Sequence, residues 1–554
     1  MFPGIPSWPF IPKPSNHTMQ PLEQTDAPAP ETATPYDRVP YKSFPFRQSH
    51  PERLATIAKL YGIESPSIAS CRVLEIGCAS GGNLLPMADR FRNSEFVGID
   101  LSNAQISAGQ KIAKEANLSN ARLVHCDVRS IPADLKDFDY IIAHGVFSWI
   151  PNDAQTALLE ACGKLLTPQG IGYISYNTFP GWRMRGMIRD IMSYHTRKPG
   201  KPEDQVRKAR ALLNFLAESV PVDGNPYGML LNTELEQLQD KEDYYLIHEH
   251  LEEVNEPIYF SEFAERIEKA GLQYLGEADF SVMAIENFSP SVASMLNNLS
   301  ENIVEKEQYM DFVRNRMFRQ TLVCRDSVSI DRGLSPARLR ELHICSNTKP
   351  AEPIRSLSDN SPATFESGAS VTKTTDPIVK AALAHLGTIW PNYISFGRLV
   401  AIARSLIAEQ ASIVDTTGSS SEADRLGKSL LRCYATGHVE LSIEPAQYSP
   451  TPPEQPRATD LARTMAGQIG FVTNLRHETV NLSDIEKRLL LKLDGTITVE
   501  HLVTEVCELM DQGLLIAHQN GEPVTDADIC RAIADEVVKD SLSKFSKMAL
   551  LIES

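Results

Sequence analysis

The sequence has 554 residues, of which 42% are hydrophobic and 23% charged, and its formal net charge is −17. That length and balance describe a globular chain of several domains, and the acidic excess argues against general binding to nucleic acid or acidic membranes. Its apolar runs all fall short of the ~18 residues that span a bilayer, so no stable membrane insertion is expected.

The N-terminus shows no basic stretch followed by an apolar core, so it does not read as a secretory signal. The nine cysteines are odd in number and lack C-x-x-C pairing, which fits reduced thiols in a cytoplasm. Residues 1–35 carry Pro3, Pro6, Pro9, Pro12 and Pro14 with little periodicity, and are expected to be a disordered leader. From Tyr36 the chain turns aromatic (Tyr41, Phe44, Phe46), and this segment is expected either to fold over a bound ligand or to strap onto the core of the following domain.

The stretch Cys71–Asn83 (C-R-V-L-E-I-G-C-A-S-G-G-N) runs from an apolar burst into a turn of small residues, and a helical pattern starts at Leu84. Strand, glycine turn and helix in that order make a nucleotide pocket at the edge of an open α/β sheet. A dinucleotide is disfavoured, because the spacing is not G-x-G-x-x-G and Glu75 before the turn would repel a pyrophosphate. The acid suits a ligand that carries positive charge. Further strands are predicted at Phe96–Asp100, Ala121–Val128, Phe138–Gly145 and Gly170–Asn177, alternating with helices as in a parallel sheet covered on both faces. Glu75, Asp100 and Asp127 thus fall at three successive strand ends on one sheet edge.

These residues resemble the class I S-adenosylmethionine-dependent methyltransferases, and more narrowly the rickettsial-type protein lysine methyltransferases that carry a methyltransferase regulatory domain. The resemblance rests on Y-D-R-V-P-Y-K-S-F-P-F (36–46), H-P-E-R-L-A-T-I-A (50–58), V-L-E-I-G-C-A-S-G-G-N-L (73–84), F-V-G-I-D-L-S (96–102), H-G-V-F-S-W-I-P (144–151) and Y-I-S-Y-N-T-F-P-G-W (173–182). It implies a Rossmann-like α/β sheet of six parallel strands and one antiparallel. It also implies S-adenosyl-L-methionine as cofactor. Glu75, Gly77, Cys78, Gly81 and Asn83 would hold its methionine part, Asp100 and Leu101 the ribose, Asp127 and Val128 the adenine, and His144, Gly145 and Val146 the pocket floor. Ala79 stands where this broad family usually has glycine, and is expected to be tolerated if the turn keeps a negative φ.

For the acceptor, Phe147, Trp149, Tyr176, Phe179 and Trp182 cluster after the fourth and fifth strands, and Trp149, Tyr176 and Asn177 are the candidate catalytic residues. Taken singly, each aromatic is as readily a core residue. No metal-ligand spacing of His and Cys is present, so no metal is expected.

Past the fifth strand, helices are predicted in a regulatory and dimerising insertion at about 183–258, followed by a sixth strand at Leu272–Gly276 and an antiparallel seventh at Arg319–Cys324. The catalytic domain would then span 36–326, with a Ser/Thr/Pro-rich linker at 327–375, a winged-helix-like domain at 376–446 and a small helical domain at 457–554. Linkers of this composition predict independently folding units, so a chain ending near Asn347 is expected to keep cofactor binding. The resemblance implies methyl transfer to lysines of a protein, such as an outer-membrane or surface protein before export, and a homodimeric enzyme. A small-molecule N- or O-methyltransferase and a non-catalytic scaffold are the competing readings.

Overall fold

In the computed structural model, the described residues are 42–411, 420–445, 448–468, 470–516, 518–519, 522–523 and 526–553. The expected leader therefore lies outside them, as do Tyr36 and Tyr41 of the aromatic segment. Each apolar burst of the sequence becomes a strand: β1 (Arg72–Ile76), β2 (Glu95–Asp100), β3 (Ala121–His125), β4 (Phe138–Ala143), β5 (Leu166–Asn177), β6 (Leu272–Glu277) and β7 (Phe318–Arg325). They form one seven-stranded sheet in the order β3-β2-β1-β4-β5-β7-β6, with β7 antiparallel to both of its neighbours and the remaining pairs parallel.

Two strand ends differ from expectation by more than two residues. β3 stops at His125, because the Cys126 N–H closes the ladder on the Asp100 carbonyl at 2.9 Å and Asp127 caps a 3₁₀ turn, Val128–Ser130. β5 starts four residues early, at Leu166, where its first residue pairs with Phe138. Successive β5 side chains point to opposite faces. Tyr173, Ser175 and Asn177 therefore share one face, and Ile174 and Tyr176 the other.

The insertion follows β5 as four helices, Trp182–Thr196, Pro202–Ser219, Pro226–Leu238 and Asp243–His250. They enclose a small core of their own, made by Ile188, Met192, Leu213, Leu231 and Leu246.

The expected linker at 327–375 is folded structure instead. His343–Cys345 is the middle strand between Ile394–Ser395 and Glu440–Ser442, and Ala363–Ser367 pairs with Ser370–Thr374 around Gly368, whose φ is +57°. Leu339, Leu342, Ile344 and Phe365 are fully buried, and they belong to the same core as Leu54, Ile57, Tyr140 and Leu275. Leu339, Leu342, Ile344 and Phe365, together with Leu357, anchor a segment whose Ser, Thr and Pro content resembles a loop. The C-terminal residues join the molecule in the same way. Leu461, Met465, Leu490 and Phe545 share a core with Cys78, Leu85 and Ile106, behind the glycine turn. Units expected to be separable are thus packed into the sheet domain.

Candidate active site

The acids and the glycine turn converge at the carboxyl ends of β1, β2 and β4, where ligands bind in open α/β sheets. Glu75 is 3% exposed. Its Oε1 accepts a 2.7 Å hydrogen bond from Asn83 Nδ2, while Oε2 is buried without a partner. Burial pushes its pKa up to about 8, with the nearby Asp100 adding to the rise and the Asn83 bond opposing it. A half-satisfied buried carboxyl is costly unless a ligand completes it.

The turn that follows needs left-handed backbone. Gly77 has φ +74°, and a Cβ there would meet Val146 Cγ2 at 2.3 Å. Ala79 sits at φ +48°, so the negative φ expected of it is not adopted, and the site holds a residue about 1–2 kcal/mol above its relaxed backbone. Its amide donates to Asp100 Oδ2 at 2.8 Å, which ties the turn to the end of β2. Ser102 N–H donates to Asp100 Oδ1 at 2.8 Å. Leu101 beside it is 51% exposed, and its carbonyl lies 3.0 Å from His125 Nε2.

Cys78 points away from this edge. Its thiol is buried against Gly98, where a Cβ would come within 2.6 Å of the sulfur, and burial raises its pKa well above that of a free thiol. Its side chain is a packing group. Asp127 is held by Arg129, whose Nε and Nη2 reach its two oxygens at 3.0 and 2.6 Å. That bond lowers the Asp127 pKa, and any ligand amine would share the carboxylate with Arg129.

The floor is built on β4 and β5. His144 Nδ1 lies 2.8 Å from the Tyr173 hydroxyl and 3.3 Å from Ser175 Oγ, and the Gly145 amide donates to Ser175 Oγ at 2.7 Å. The Phe46 ring covers His144 at 3.8 Å between centroids. Enclosure drives the His144 pKa down to about 3, so the ring is neutral. Phe46 N–H donates to Asn83 Oδ1 at 2.8 Å, and Gly82 N–H to Ser43 Oγ at 2.8 Å. The aromatic segment is therefore laid across the turn. A Cβ on Gly82 would meet the Ser43 carbonyl oxygen at 2.3 Å, which makes this glycine the condition for that approach.

The expected catalytic residues separate. Tyr176 is on the far face of β5, stacked on Phe263 at 4.2 Å with its hydroxyl 3.1 Å from Thr321 Oγ1, so it is a core residue. Phe147 is packed in that same core. Trp149 meets Trp182 edge-on at 6.3 Å. Asn177 is 3% exposed; its backbone N–H donates to Ser148 Oγ at 2.9 Å and its side-chain Nδ2 has no partner. Phe179 packs with Tyr259 at 5.2 Å under the Arg183 guanidinium.

Two residues escaped the sequence reading. Asn255 has both side-chain amide atoms buried and unpartnered, and the next residue, Glu256, donates its N–H to the Ser148 carbonyl at 2.8 Å. His477 Nε2 lies 2.7 Å from Asn83 Oδ1, across 394 residues of sequence. Nothing in the local pattern around either residue announces a site.

A β3-β2-β1-β4-β5-β7-β6 sheet with one antiparallel strand, and an acid-flanked glycine turn after β1, define the class I S-adenosylmethionine-dependent methyltransferases. In agreement, a methyltransferase domain family matches residues 73–170, a predicted methyltransferase regulatory domain matches 242–325, and the PKMT C-terminal winged helix domain matches 454–550. The structure of PKMT2 from Rickettsia typhi superposes with a TM-score of 0.81 at 31% identity, covering 93% of this chain and 100% of that one. The same protein in complex with AdoHcy superposes with a TM-score of 0.82. An uncharacterised protein of Rickettsia prowazekii is 32% identical over 526 residues, 94% of each chain. The chain belongs to this family, the methyltransferases with a regulatory domain and a C-terminal winged helix.

These matches shift two expected boundaries. A winged helix is matched at 454–550, where a small helical domain was expected. The regulatory domain begins at 242, so it takes in the last insertion helix with β6 and β7 and leaves out most of 183–258.

Proposed function

We propose that this chain binds S-adenosyl-L-methionine at the β1–β2–β4 edge and transfers its methyl group to lysine side chains of a protein. The buried Glu75 oxygen that lacks a partner supports the cofactor site, since a ligand ammonium or sulfonium complements it. Gly77 and Gly81, both with positive φ, let the backbone approach that ligand, and Asp100 stands where ribose hydroxyls would be accepted. Bound there, the cofactor supplies an electrophilic methyl on a sulfonium. The protein's share is to orient the pair and exclude water. The Phe46 ring packed against His144, which is held neutral, gives the pocket an uncharged wall.

For the acceptor we assign the space between Trp149, Trp182, Asn177 and Asn255, which meet around Ser148. A lysine amine, with a pKa of about 10.4 in water, must shed a proton before it attacks. An enclosed site beside a sulfonium disfavours the ammonium, and the open amides of Asn177 and Asn255 provide donors and acceptors for a neutral amine. Because residues beyond 326 are built into the core, they no longer argue for a detachable substrate-capture unit. Likeness to PKMT2 over nearly the whole chain supports a protein acceptor in their place.

The test is incubation with methyl-labelled S-adenosylmethionine and cell extract, followed by size separation and amino-acid analysis. Label in protein, recovered as methyl-lysine, is expected. Label confined to small molecules would replace this reading with a small-molecule methyltransferase.

A further inference from the structure

The strands Phe471–Thr473 and Thr479–Asn481 are joined by a turn that projects His477 into the sheet domain. His477 is 5% exposed and has φ +60°, a conformation that costs an ordinary residue about 1–2 kcal/mol. The turn is braced from several sides. The Asn474 side-chain oxygen accepts from the Arg476 and Glu478 amides at 2.9 and 2.8 Å, and its Nδ2 donates to the Met548 carbonyl at 2.9 Å. Arg476 donates to Glu440 at 2.8 Å and lies over the Trp390 ring at 4.5 Å. Glu440 in turn pairs with Arg47, the residue after Phe46.

At the tip, the bonds assign every atom of one amide. Asn83 Nδ2 donates to Glu75 Oε1 at 2.7 Å and Ser49 Oγ at 3.0 Å. Its Oδ1 accepts from the Phe46 amide at 2.8 Å, lies 3.4 Å from Ser49 Oγ, and is 2.7 Å from His477 Nε2. An oxygen that already accepts from a backbone N–H requires His477 to be a donor, so the ring carries its proton on Nε2. The chain His477–Asn83–Glu75 thus links the C-terminal winged helix to a carboxyl whose other oxygen is buried without a partner.

We propose that His477 is a positioning residue of the cofactor site, acting through Asn83 to fix the Glu75 carboxyl with its free oxygen toward the ligand. It rests on the cofactor site assigned above. In this arrangement the C-terminal domain is part of the binding site, and the strained backbone at 477 is the conformation that brings Nε2 within reach.

The test is calorimetric binding of S-adenosylhomocysteine to the full chain and two variants. His477→Asn tolerates positive φ but is too short to reach Asn83, whereas the His477→Gln amide nitrogen can occupy the Nε2 position. About tenfold weaker binding is expected for His477→Asn, with recovery to within about threefold in His477→Gln. Thermal melting checks that both fold. Should His477→Asn fail to fold, ¹⁵N resonances of the native His477 imidazole give the second readout, expected to report an Nε2–H tautomer and to move on saturation with S-adenosylhomocysteine. Native-like affinity in His477→Asn, equal losses in both variants, or unmoved imidazole resonances would overturn the proposal. If the native chain itself fails to bind S-adenosylhomocysteine, the cofactor assignment falls first.

Discussion

The Phe46 ring lies 3.8 Å from the His144 ring, centroid to centroid, and so spans from the segment before the first helix to the end of β4. If this segment covers the cofactor, loss of the contact should speed ligand escape more than it weakens the fold. Phe46→Ala should bind S-adenosylhomocysteine about 10–100-fold more weakly, almost wholly through faster dissociation. Stopped-flow displacement measures this, and an unchanged off-rate would show that the segment only packs.

Glu75 makes cofactor affinity depend on pH. Its folded pKa of about 8 lies above the ordinary 4.5, so the empty protein binds more protons than the unfolded chain between those values. That contribution to stability is complete below about pH 4.5 and is lost as pH rises through about 8. A cationic ligand needs the ionised form, so binding releases a proton. Affinity for S-adenosylmethionine should therefore rise up to about tenfold per pH unit below about 8, then level off. Titration in buffers of different ionisation enthalpy counts the proton, and Glu75→Gln should flatten the profile.

Arg319 is fully buried and donates to Glu277 at 2.6 Å, to Asp311 at 2.8 and 2.9 Å and to Glu307 at 3.1 Å. Removing the cation leaves buried carboxylates without their counter-charge. Arg319→Ala is expected to destabilise the sheet domain by about 3–5 kcal/mol, read as a lowered midpoint in urea. A shift of under about 1 kcal/mol would mean that water enters to replace the guanidinium.

Ala79→Gly should act in the opposite direction. Releasing the φ +48° backbone gains more than the added freedom of the unfolded chain loses, for a net stabilisation of about 0.5–1 kcal/mol. Thermal melting tests this, with cofactor binding expected to stay close to native.

Ending the chain near Asn347 should abolish soluble folding, contrary to the reading of 327–375 as a linker. Such a chain would keep His343–Cys345 without either neighbouring strand and expose Leu342 and Ile344. Soluble expression with intact S-adenosylhomocysteine binding would restore the separable-domain view.

Local chemistry made the sheet and the strand edge that carries the candidate site legible. Val73, Leu74 and Ile76 could only be a buried strand, and the small residues after them could only be a turn that approaches a ligand. Because a strand's end is where its apolar run stops, Glu75 and Asp100 were readable as edge residues before any contact was known. Alternation along β5 was equally present, yet it did not say which face was the pocket. Tyr176 and Asn177 are neighbours in sequence and end on opposite sides of the sheet, one stacked on Phe263 in the core and one beside Ser148 with an unpartnered amide nitrogen.

The sequence by itself determined the strand–turn–helix order and the acids at strand ends, because each follows from spacing within about 20 residues, while its motifs between 36 and 182 carried the resemblance to the family. Only the tertiary structure decided which distant residues stand against those acids. Asn83 is bonded to Glu75 eight residues away and to His477 at a separation of 394, and no periodicity connects the second pair. It also decided that 327–375 is core, since burying a handful of apolar side chains against a distant strand outweighs a loop-like composition. Long-range burial leaves no local signature, so separable-looking segments became one molecule.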